Sequence, residues 1–147
     1  MPFGLKPFFG ALACVALSMP APLAAQESEP SFELDLNSAA DTANGSCRLT
    51  IVAKNSSDTA LDRTAYQIGI FDSDGAFTRL LAVEFGALIE NKTKILQFDL
   101  PETGCGSIGR ILINDVVACE IADGGGDSDL CLNGLTATSR TDIEFGL

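Results

Sequence analysis

Between Cys47 and Asp72 the apolar side chains recur at every second position, a period that suits a pleated strand and cannot build the face of a helix. In CRLTIVAKN, Cys47, Leu49, Ile51 and Ala53 share one face, while Arg48, Thr50 and Lys54 share the other. After the polar loop SSDTALD, the run TAYQIGIFD sets Tyr66, Ile68 and Ile70 against Gln67 and Gly69. It ends in DSDG, where Asp and Gly accept the positive φ of a tight hairpin turn. Two half-buried strands bracketing a loop are therefore expected.

The same alternation runs through the rest of the chain. SFELDLN opposes Phe32, Leu34 and Leu36 to Glu33, Asp35 and Asn37, and the turn at Asn44-Gly45 delivers the chain to Cys47. LLAVEF alone would suit a helical turn, but AFTRLLAVEFG follows DSDG at once, which predicts a strand antiparallel to 64–72. Beyond the Asn91-Lys92 turn, Leu96, Phe98 and Leu100 oppose Gln97 and Asp99, and Pro101 ends the run by denying the ladder a donor. RILINDVVAC predicts a central strand covered on both faces, because Ile111, Leu112 and Ile113 are consecutively apolar. ADGGGDSD carries too much Gly and Asp for regular structure. Asn133-Gly134 breaks the tail, and Ile143, Phe145 and Leu147 against Asp142 and Glu144 predict a last strand. There is no heptad, helical stripe or internal repeat. The pattern predicts an all-β fold, an antiparallel immunoglobulin-like β-sandwich of about six to eight strands, with a small barrel as the competing architecture.

The 147 residues leave room for one domain. Lys6, the apolar run FFGALACVAL and the helix-breaking MPAPLAA read as a signal peptide over 1–25, cleaved between Ala25 and Gln26. Residues 26–30 read as a flexible leader and 31–147 as the single sandwich domain. Lipidation at Cys14 is the competing reading of the first segment. No membrane span is expected, and the predicted location is the periplasm or the exterior. Cleavage would remove one cation, Lys6, and no acid, so the formal net charge of −11 falls by one further unit. Such a surface repels phosphate backbones, which argues against nucleic acid and anionic membrane as partners.

Histidine and tryptophan are absent, and both methionines, Met1 and Met19, lie in the predicted signal segment. These absences exclude Ser-His and Cys-His catalysis, His-ligated zinc, His/Met copper sites and axial haem ligation by His or Met. Four cysteines remain after cleavage: Cys47, Cys105, Cys119 and Cys131. In an exported chain they read as two disulfides, for which three pairings are open. The preferred pairing joins Cys47 to Cys105 and Cys119 to Cys131. A redox role for Cys119 and Cys131 lacks both CxxC spacing and a neighbouring cation. Asp123, Asp127 and Asp129 in DGGGDSD are the candidate metal ligands, since carboxylates on a pliable loop suit Ca²⁺. Asp72, Asp74 and Gly75 fail the register of a calcium loop and read as a turn. No other cofactor is expected.

LTIVAKNSSDTAL, YQIGIFDSDGAF and the later NKTKILQF resemble the FxLYD-type domains of bacterial exported proteins over Leu49 to Phe98. Phe71-Asp72 stands where that pattern has Tyr-Asp, and the half beginning at Cys105 has no counterpart in it. The resemblance implies an immunoglobulin-like accessory domain of the envelope with no assigned chemistry and no catalytic residue. The expectation is therefore a non-enzymatic exported module that binds a protein or peptide, for which an exposed strand edge is one route. The alternative is a calcium-binding or thiol-redox envelope protein acting through the Asp123–Asp129 loop or the Cys119/Cys131 pair.

Overall fold

The computed structural model describes residues 1, 3, 4 and 32–147. The expected signal peptide, its cleavage point, Cys14 and the leader lie outside the described residues. Among the described residues nine strands form two facing sheets. The first sheet has the order β5-β2-β1-β8, built from β5 (Lys92–Leu100), β2 (Cys47–Asn55), β1 (Phe32–Asp41) and β8 (Leu135–Ser139). The second has the order β4-β3-β6-β7, from β4 (Phe77–Glu84), β3 (Leu61–Asp72), β6 (Ile108–Ile121) and β7 (Gly126–Asp127), with β9 (Glu144–Gly146) also beside β6. The seven predicted strands are present, and the ambiguous run after DSDG is the strand β4.

Alternation decides which face of each strand is buried. In β1, Phe32, Leu34 and Leu36 are buried between the sheets, and Leu49, Ile51 and Ala53 of β2 join them. Tyr66, Ile68 and Ile70 of β3 and Ile111 and Ile113 of β6 close the core from the other side. Each such Leu, Ile or Phe contributes about 2 kcal/mol by leaving water. Among the described residues two polar side chains, Thr64 and Asn55, are drawn in with them. Asn55 is buried, donates to the Thr59 and Leu88 carbonyls at 2.8 and 3.1 Å, and accepts from the Ser57 N–H at 3.0 Å, so it holds the β2–β3 loop shut.

Three local expectations are corrected. Two pairs are parallel, β1 with β8 and β6 with β9, so each sheet is mixed where an antiparallel sandwich was predicted. ADGGGDSD does carry regular structure: a 3-10 turn at Ala122–Gly124 and then β7, which returns to pair with Glu120 and Ile121. Gly124 and Gly126, with φ of 74° and 85°, supply the left-handed backbone that this reversal requires. A single helical turn, α1 (Leu130–Asn133), follows, and Asn133-Gly134 ends it before β8. Finally, β6 is not covered on both faces. Ile111 and Ile113 are buried, but Leu112 is half-buried on the solvent face.

Disulfides join Cys47 to Cys105 and Cys119 to Cys131, the preferred pairing. The first ties the start of β2 to the 3-10 turn Cys105–Ser107 that leads into β6, and so links the two sheets. Asp41 steers that turn by accepting the Cys105 N–H at 2.7 Å. The second anchors α1 to β6. Tyr66 reinforces it from the core, donating its hydroxyl to the Cys131 carbonyl at 2.8 Å.

Candidate functional site

The structure does not bring the predicted metal ligands together. Asp123 sits in the 3-10 turn, Asp127 pairs in β7, and Asp129 accepts the Asn133 side-chain amide at 2.9 Å. Among the described residues no group of three or more His, Cys, Asp or Glu side chains is placed to hold a metal ion. Asp72 closes the hairpin, accepting the Asp74 and Ala76 N–H groups at 3.0 and 2.8 Å, with Gly75 at φ 81°. The Cys119–Cys131 sulfurs belong to residues that are 4% and 0% exposed, so an attacking thiolate has no approach to them. The cavity between the sheets that Tyr66, Phe85 and Phe98 line amounts to about 10 Å³, room for one water at most.

What distinguishes the molecule is the contrast between its two solvent faces. The first sheet presents a ladder of ion pairs and hydroxyls. Arg48 grips Asp99 through two hydrogen bonds of 2.7 and 2.8 Å, Lys54 meets Glu33 at 3.2 Å, and Arg140 and Thr138 both reach Asp35. Partial burial opposes ionisation of Asp35, but hydrogen bonds from Thr138, Asn37 and Arg140, with the charge of Arg140, outweigh it and hold this carboxyl below its usual range. Ile95, 69% exposed, is the main apolar exception on that face.

The second sheet is apolar at its centre. Phe71 and Leu112 are half-buried there, Phe77 and Leu80 are 56% and 48% exposed, and the two Phe rings meet edge to face at 5.7 Å. Gly69 lies beneath them. A Cβ built on it would sit 3.5 Å from Phe71, 3.7 Å from Leu80 and 3.8 Å from Phe77, so three side chains converge over one glycine. Charged residues stand around this platform: Arg63 bridges Glu84 and Glu120 at 3.1 and 3.2 Å, and Arg110 meets Glu144 at 3.3 Å.

The platform borders an open strand. Among the described residues β4 ends its sheet and pairs with β3 alone. The other margins are better protected. β8 is only five residues long, and β5 carries Lys92 and Lys94. The outer side of β6 is bulged at Asn114 and Val117 and covered at its two ends by β9 and β7. Short length, lysines, bulges and cover are the usual defences of a sheet edge. From Arg79 to Glu84, β4 has neither a bulge nor a lysine. Two cations fasten the gap between β4 and β5 at its ends, Lys94 on the Phe85 carbonyl at 2.8 Å and Arg79 on the Pro101 carbonyl at 3.1 Å.

The sequence reasoning missed this surface, though a sign of it was present. Phe71 after Ile70, Leu80 before Leu81 and Leu112 between Ile111 and Ile113 each break strict alternation by adding an apolar residue on the polar face. No family model matches the chain, and no curated protein or solved structure matches it at a significant level. Among the described residues no helix is long and apolar enough to cross a membrane. The two disulfides are compatible with an oxidising compartment.

Proposed function

We propose that the chain is an exported, non-enzymatic, immunoglobulin-like accessory module that binds a protein or peptide partner in the envelope, as the FxLYD resemblance implies. The observation that carries this reading is the apolar platform of Phe71, Phe77, Leu80 and Leu112 beside the unprotected edge of β4. An apolar patch rimmed by charge is the mark of an interaction surface. A filled core and buried disulfides support a binding role over a reaction centre.

The test is retention of a partner from periplasmic extract on the immobilised mature chain, washed at several salt concentrations. A partner held by the wild type and released from Leu80→Lys is the expected result. Recovery of nothing above background at every salt concentration would overturn the reading.

A further inference from the structure

We propose that the open edge of β4 accepts an extended segment of another protein, one whose apolar residues alternate and whose ends carry Lys or Arg. This deepens the function proposed above and rests on it. The backbone supplies the first argument. The Phe85 N–H donates to the Thr64 carbonyl at 2.8 Å, and pairing runs unshifted from Ala65↔Glu84 to Ile70↔Arg79. Antiparallel alternation then turns the N–H and C=O groups of Leu80, Ala82 and Glu84 away from β3 and toward the open side. That is the donor and acceptor row to which an added strand bonds.

Side chains supply the second argument. Leu80 and Ala82 project onto the solvent face, so a strand laid along β4 sets every second side chain beside Leu80 and Phe77 at the margin of the platform. Apolar residues at those positions would cover surface that is now wet, whereas the intervening positions face the charged seam held by Arg79 and Lys94.

Charge complementarity selects the ends of the segment and argues against a second copy. The whole chain carries −11, and the acids around the platform are Glu84, Glu120, Glu144 and Asp115, with Asp72 and Asp74 at the hairpin. Arg63 and Arg110 are paired with Glu84, Glu120 and Glu144, and Arg79 and Lys94 are held by the Pro101 and Phe85 carbonyls, so six acids face four cations around the edge. An anionic rim draws in cationic ends and repels another molecule of the same sign.

The experiment titrates the mature wild-type chain into the fluorescein-labelled peptide KKVTVTVTVKK, with EEVTVTVTVEE as its charge-swapped counterpart, and reads anisotropy. The Lys-flanked peptide should saturate, and the Glu-flanked one should bind at least about tenfold more weakly. Leu80→Lys should weaken the first by about tenfold or more, by placing a charge on the edge. Ala82→Pro, which removes only an outward-facing donor, should do the same, and hydrogen exchange should slow at Leu80, Ala82 and Glu84 in the complex. No binding of the Lys-flanked peptide up to millimolar concentration overturns the inference. So does equal binding of the two peptides, or protection confined to other strands. A dimer in sedimentation that Leu80→Lys abolishes overturns it in favour of a second copy. Retention of an extract partner without peptide binding sinks this inference alone, whereas peptide binding without any extract partner sinks the broader reading.

Discussion

Gly69 and Gly109 both lie in the second sheet, yet a methyl group added to each meets opposite neighbours. At Gly69 it would make ordinary contact with Phe71, Leu80 and Phe77, whereas at Gly109 it would lie 2.5 Å from the Asp72 carbonyl oxygen. Gly69→Ala should therefore stabilise the fold by about 0.5–1 kcal/mol, through the reduced freedom of the unfolded chain. Gly109→Ala should destabilise it by at least about 1 kcal/mol, because backbone has to move. Urea melts of the two variants check both signs. Tyr66 gives a second expectation at this scale. Burial raises its phenol above the usual range, and its hydroxyl reaches the Cys131 carbonyl. Tyr66→Phe should cost about 1–2 kcal/mol in the same melts, since a buried acceptor loses its partner. Neither behaviour was legible beforehand, because both depend on atoms brought in from distant segments.

At the scale of elements, β1 and β8 are held side by side on the solvent face by Asp35, Thr138 and Arg140. A carboxyl held below its ordinary value adds stability that is present above the unfolded pKa and lost as pH falls through the folded one. Stability should thus decline as pH drops below about 4, the ordinary Asp range, and Asp35→Asn should flatten that decline. Denaturant midpoints at neutral and acid pH are the measurement. The disulfides act over unequal spans, 58 residues for Cys47–Cys105 and 12 for Cys119–Cys131. On the chain-entropy argument they contribute about 4 and about 3 kcal/mol. Replacing both members of the longer pair by Ala should therefore cost more than replacing both members of the shorter. The spread of Asp123, Asp127 and Asp129 carries its own expectation. Excess calcium or chelator should leave Tm unchanged, since only a ligand that prefers the native state raises it.

The molecule as a whole divides its chemistry by face, with a polar ladder on one sheet and an apolar platform on the other. Seven of the strands were readable because each buries one side of a period-two pattern, and the alternation of Phe32, Leu34 and Leu36 or of Tyr66, Ile68 and Ile70 requires no knowledge of neighbours. The two added strands were not readable. β7 has two residues, and β8 is defined by its parallel pairing with β1 more than by any pattern of its own. The platform was hidden for a related reason. Phe71, Phe77, Leu80 and Leu112 come from three strands, and Leu112 read as part of a strand covered on both faces until the register set these residues around Gly69 on the outside.

By itself, then, the amino-acid order determined the all-β architecture, the disulfide-bearing character of the chain and the functions that a protein without histidine cannot perform. These follow from period, count and side-chain chemistry, which are local properties. Which strands lie side by side, which edge is left open and where the surplus apolar residues gather were decided only by tertiary structure. Pairing energies arise between segments far apart in the chain, and only the folded register says which of them meet.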